Sequence, residues 1–249
     1  MKKAVARFGI GAMALVVAVP ALCLAQMAPA PPARSRVTVT QVRPDMLTEW
    51  LDLQKNEVVP ALKKAGAKTR TVYSSGLFGT AGEYVIITPI EKYADFDAGN
   101  PLIKALGAEG AARLGEKLRK CTVGSHSYAI ARQADLSNAT TPPAPIIVST
   151  RIRIAPGKFP DFQNLVKTEV LPIYKAANVS FTVNSRSLGA NPTDVTLSSG
   201  MNKYADLDTG SPLLQKLGPD GVAKLLAKFT GISTVIEQVV RARVADLSF

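Results

Sequence analysis

The sequence is poor in the side chains that most often carry chemistry. It has one histidine, His126, and two cysteines, Cys23 and Cys121, among 249 residues. A zinc or iron site assembled from several His and Cys side chains is excluded by that count. A Ser-His-Asp triad would have to be built on His126, and no serine stands in the Gly-x-Ser-x-Gly setting of a nucleophile elbow. No glycine-rich phosphate loop follows a strand. Beyond the N-terminal region no stretch approaches about 18 uninterrupted apolar residues, so no membrane-spanning helix is expected.

What is present begins with an address. Lys2, Lys3 and Arg7 precede an apolar run from Ile10 to Leu24, and Cys23-Leu24-Ala25 offers small residues at the positions a signal peptidase reads. The expectation is a bacterial Sec-type signal peptide over 1–25, cleaved after Ala25, and a periplasmic or secreted protein. Leu22 is too large for lipoprotein processing at Cys23. Cys121 is then the one cysteine left, so a disulfide within the chain is impossible. Cys121 opens the strand-like "CTVGSHSYAIAR" and is read as a buried thiol.

The charge is lopsided, with 30 Lys+Arg against 19 Asp+Glu and a net +11. Loss of Lys2, Lys3 and Arg7 with the leader lowers it to +8. The basic residues are scattered and interleaved with acids, without runs alternating with aromatics, so nucleic acid is not an expected partner.

One stretch occurs twice: "KYADFDAGNPL" from Lys92 and "KYADLDTGSPL" from Lys203. The correspondence extends well beyond it. Glu57-Val58-Val59-Pro60 faces Glu169-Val170-Leu171-Pro172, Leu106-Gly107 faces Leu217-Gly218, and Ala134-Asp135-Leu136-Ser137 faces Ala245-Asp246-Leu247-Ser248. The offset is 112 early and 111 later. This is a tandem duplication, with copies over 36–137 and 146–249 and Pro-rich linkers over 26–35 and 138–145.

Each copy alternates its hydrophobic period. "RVTVTQV" and "VSTRIRI" read as strands, followed by helices with apolar residues such as Leu47, Trp50 and Leu51 at helical spacing. Pro60 and Pro172 inside these helices predict a kink or restart. Gly66 and Asn178 suit the left-handed residue that ends a helix. Two strands, the repeated stretch, a second helix and a last strand complete the unit. In the repeated stretch an Asp caps a short turn, Gly99 or Gly210 breaks it, and Asn100-Pro101 or Ser211-Pro212 starts the next helix. Asp95/Asp97 and Asp206/Asp208 lack the further oxygen ligands that a calcium loop needs. The unit is βαββαβ, the ferredoxin-like pattern. The fold class expected is α+β, two such units packed sheet to sheet as a pseudo-dimeric α/β barrel within a single chain.

With this unit, the opening "PGK" (Pro156-Gly157-Lys158) before Phe162, and "VLPIYKAA", the sequence resembles the dimeric α/β-barrel superfamily, nearest to NIPSNAP-like and antibiotic-biosynthesis-monooxygenase-like domains. That resemblance implies either a small-molecule binder or a cofactor-independent monooxygenase. Haem-dependent members of the superfamily would need an axial ligand, for which His126 is the one histidine, and no cofactor or metal is expected. Trp50 could orient a substrate, but its spacing places it in a core.

The most suggestive side chains are basic. Arg151 and Arg153 alternate on the first strand of copy two, and Arg241 and Arg243 on its last, beside Glu237. His126 and Tyr128 share a face in copy one. If these line a space between the units, they could hold a carboxylate or phosphate, because Arg forks match such anions bidentately. An exported small-molecule-binding protein for an anionic or aromatic ligand is the function expected. A monooxygenase-like enzyme and a non-catalytic envelope interaction module are the alternatives.

Overall fold

The computed structural model describes residues 33–249. The expected leader lies outside the described residues. Eight strands, β1 (Arg34–Val42), β2 (Thr71–Phe78), β3 (Glu83–Ile90), β4 (Thr122–Arg132), β5 (Ile146–Ile154), β6 (Phe181–Arg186), β7 (Asp194–Met201) and β8 (Ser233–Arg243), close into a barrel. The order around it is β1-β3-β2-β8-β5-β7-β6-β4, and every pair is antiparallel. Each copy supplies four consecutive staves. The copies join at two seams, β2 with β8 (Tyr73↔Arg243) and β4 with β6 (Ile130↔Arg186). Closure leaves no unpaired sheet edge, which an isolated ferredoxin-like unit would have exposed.

The helices lie outside the barrel. In the first copy, α1 (Leu47–Leu53) continues through a π-helical turn, Gln54–Val58, into α2 (Val59–Lys64). In the second, α4 (Phe159–Leu165) continues through Val166–Val170 into α5 (Leu171–Ala176). Pro60 and Pro172 sit in the first turn after the π-turn, where the missing N–H and the ring are both accommodated. The restart expected from the prolines is therefore a π-bulge. Gly66 and Asn178 have φ of 90° and 52°, as the helix ends require.

The second helices, α3 (Pro101–Cys121) and α6 (Pro212–Lys228), begin at Asn100 and Ser211, whose side chains accept from the N–H of Leu102 and Leu214. Each bends at a glycine: Gly107 (φ 74°, ψ 168°) and Gly218 (φ 67°, ψ 175°) adopt a conformation closed to residues with a Cβ. Before these helices, Asp95 accepts from the N–H of Lys92, and Asp206 from those of Asn202 and Lys203. The repeated stretch caps helices, as its composition suggests.

Each copy's tail is buried in the other copy. Leu136 packs in the second copy's core with Phe162 and Val183, and Leu247 in the first copy's core with Trp50 and Val72. Asn138 and Phe181 exchange backbone hydrogen bonds, as do Phe249 and Arg70. The hydroxyls of Ser137 and Ser248 accept from the N–H of Val183 and Val72. The two halves are thus clasped reciprocally.

Cys121 is fully buried, as expected, and burial raises its thiol pKa. Among the described residues no helix is long and apolar enough to cross a membrane.

Candidate functional site

Strand alternation decides what faces the barrel axis. On the first copy's wall it places Val37, Val39, Val85, Ile87, Tyr128 and Ile130, a small apolar cluster. On the second copy's wall the same alternation places Arg151, Arg153, Arg186, Asp194, Glu237, Arg241 and Arg243. The barrel interior is apolar on one side and ionic on the other.

The four arginines named from the sequence all reach this interior, but their partners differ. Arg153 is committed to the buried carboxylate of Asp194 through bonds of 2.8 and 3.3 Å, and its pKa is raised by that hydrogen bond. Arg241 crosses to the first copy and donates to Glu83 at 2.8 Å, while Ser75 donates to the same carboxylate. Arg151 lies 3.7 Å from both Asp194 and Glu237, beyond hydrogen-bonding reach. Arg243 pairs across the seam with Tyr73, whose hydroxyl donates to the Ala144 carbonyl. The Nε–H groups of Arg151, Arg241 and Arg243 are buried and make no hydrogen bond among the described residues.

Arg186, Asp194 and Glu83 complete the set and were not singled out from the sequence. Each was legible only as the inward member of an alternating strand, without a motif around it. The guanidinium of Arg186 stacks over the Tyr128 ring at 4.5 Å and donates to Thr196. Burial lowers the Arg186 pKa, and Arg151 nearby adds to that. Burial raises the Tyr128 phenol, opposed by Arg186, Arg241 and Arg151. His126 stacks beside Tyr128, with centroids 6.2 Å apart, but is exposed near the barrel mouth.

A separate cavity of about 810 Å³ lies in the second copy, between the outer face of its sheet and its helices. Ile152, Phe181 and Leu197 form its floor, Phe162, Val166 and Tyr174 one wall, and Leu213, Leu225 and Phe229 the other. Tyr174 and Phe181 stack at 4.5 Å along its edge. Asp206 is its one charged lining residue, and that carboxylate is occupied by backbone N–H groups. Gln215 and Gln238 supply uncharged polar atoms. Gln238 donates to Thr150 at 2.9 Å.

The copies differ in side-chain size beside this space, at Phe162 in its wall and at Val195 in the adjoining core. Trp50 and Tyr84 of the first copy correspond to Phe162 and Val195 of the second. Trp50 is buried and stacks on Tyr84 with centroids 4.4 Å apart, occupying the matching space. In the second copy two large rings have become one smaller ring and a β-branched aliphatic. The sequence places Trp50 in a core, as found. The repeated stretch gains a role here too, because Asp206, Leu207 and Thr209 to Leu213 contribute to the cavity wall.

Among the described residues the lining of this cavity includes no histidine or cysteine, and His126 lies elsewhere, so these residues offer a haem neither ligand there.

No protein-family model matches the chain, and no curated protein does. Solved structures do. An anthrone oxidase-like protein superposes with a TM-score of 0.55 at 9% identity, over 86% of this chain and 92% of its own. A proposed monooxygenase from Fusobacterium nucleatum gives 0.53 at 10%, over 86% and 92%. A mutant chlorite dismutase from Candidatus Nitrospira defluvii gives 0.50 at 12%, over 87% and 93%. The fold is that of a dimeric α/β barrel. At these identities the likeness is one of fold, in which a single chain supplies both halves.

Proposed function

We propose that this is an exported protein that binds a small, neutral, largely apolar molecule, aromatic in class, in the cavity of its second half. The observation that carries this reading is a space of about 810 Å³ lined by aromatic and aliphatic side chains, with a few uncharged polar groups to orient a ligand. The corresponding residues of the first half are large enough to fill the matching region.

The test uses the neutral fluorophore N-phenyl-1-naphthylamine. Enhanced fluorescence on binding to the purified protein, lost in Phe162→Trp with folding retained, supports the reading. Binding that persists unchanged in a folded F162W protein contradicts it. Native mass spectrometry of the protein from its own host asks which molecule it carries. Export predicts a secreted chain whose N-terminus is Gln26.

A second reading is a cofactor-independent oxygenase acting on the molecule held there. It is favoured by the largely apolar lining, since such chemistry needs an apolar pocket around a substrate that itself activates oxygen. Oxygen uptake with quinol-like compounds, abolished in F162W, is the discriminating assay.

A further inference from the structure

We propose that the ionic wall of the barrel interior is a second binding site, taking a small oxyanion (a carboxylate or a phosphate) between Arg151, Arg186 and Arg241. This site is separate from the apolar cavity, lies on the other face of the same sheet, and rests on different residues.

Charge balance gives the first argument. Five guanidinium groups, from Arg151, Arg153, Arg186, Arg241 and Arg243, face three carboxylates, from Asp194, Glu237 and Glu83. Asp194 is spent on Arg153 and Glu83 on Arg241. Arg186 has only the Tyr128 ring and the Thr196 hydroxyl. None of the five is fully buried, but like charges gathered on one part-buried wall repel one another and favour an added counter-charge.

Hydrogen bonding gives the second. The buried Nε–H groups of Arg151 and Arg241 make no hydrogen bond among the described residues, the Glu237 carboxylate standing 3.7 Å from the former, although buried donors nearly always find a partner. A planar or tetrahedral oxyanion offers several acceptor oxygens in the arrangement that guanidinium forks match.

Access gives the third. Exposure falls along the wall, with Glu237 43% and Arg151 31% exposed near the mouth and Arg241 only 11% deeper in. Glu237, at 3.7 Å from Arg151, is a weak internal competitor that an arriving anion can displace. An eight-stranded barrel is wide enough either to be filled by its own side chains or to hold one small ligand.

The test is titration of the full-length secreted protein with inorganic phosphate and, separately, with acetate, at ionic strength held constant with chloride. Saturable heat and a raised melting temperature with one of them, absent with chloride, are expected, and the arm that responds names the oxyanion. Arg151→Gln should weaken binding roughly tenfold or more, the loss of a charged hydrogen bond. Glu237→Gln should tighten it, because the competitor is neutralised. N-phenyl-1-naphthylamine binding should be unchanged in both variants, so failure here is distinguishable from failure of the apolar site. Phosphate and acetate behaving as chloride does, or R151Q and E237Q both titrating as the parent does, would overturn the proposal.

Discussion

At the scale of single residues, the duplication works as an internal set of substitutions. Gln54 and Arg70 of the first copy correspond to Val166 and Phe181 of the second. Arg70 is buried without a carboxylate, donating to the Gln54 amide oxygen at 2.7 Å and to the Leu247 carbonyl. Burial pushes its pKa down to about 10, so it remains cationic at neutral pH. Because this folded value lies below the unfolded one, the charge penalises folding at all pH values below about 10, and stability rises as pH climbs above that. The double variant Gln54→Val/Arg70→Phe, which copies the second half, is expected to be neutral or stabilising in urea melts. Asp194→Asn should do the reverse. It leaves Arg153 with a weakened partner, at a cost of about 2 kcal/mol, because Arg153 itself is half exposed. The buried, raised thiol of Cys121 should react with a disulfide reagent at pH 8 only after denaturation.

At the scale of elements, most of the architecture was legible. Period-two alternation marked the strands, and Pro60, Pro172, Gly66 and Asn178 marked helix boundaries, because each of those residues has a narrow conformational range. A π-turn was not legible in the same way: Gln54–Val58 and Val166–Val170 carry no motif of their own, and the form follows from combining a downstream proline with continuous packing. The bends at Gly107 and Gly218 were aligned by the repeat but not read as bends. Gly218→Ala tests that one directly. A Cβ there meets nothing within 4 Å, so any loss is purely backbone strain, expected at about 1–3 kcal/mol by chemical denaturation.

The site was legible to different depths. Arg151, Arg153, Arg241 and Arg243 were found because two adjacent strands alternate arginine with apolar residues, and all four face the interior. Their pairing was not legible, since Glu83 comes from the other copy and Asp194 from β7, beyond two helices and β6. The cavity in the helical layer escaped because its lining reads, residue by residue, as ordinary core. Phe162 and Val166 have the spacing of any amphipathic helix.

At the scale of the whole molecule, two hydrogen-bonded seams and two exchanged tails make the halves one cooperative body. Leu247→Ala removes a side chain from the first copy's core although it belongs to the second copy's tail. A loss of about 2–5 kcal/mol in a single transition is expected from that cavity. Two separable melting transitions would contradict the clasp. Asymmetry is the other whole-molecule feature: a near-symmetric barrel has its enlarged cavity and its ionic wall both in the second copy. Duplication allows this, because one copy can keep a filled core while the other relinquishes packing for a ligand.

That asymmetry is tested most directly by hydrogen–deuterium exchange with and without N-phenyl-1-naphthylamine. The prediction is slowed exchange in α4, α5 and α6 of the second copy, with the matching helices α1, α2 and α3 unchanged. Equal protection of both copies, or protection confined to the first, would contradict the account.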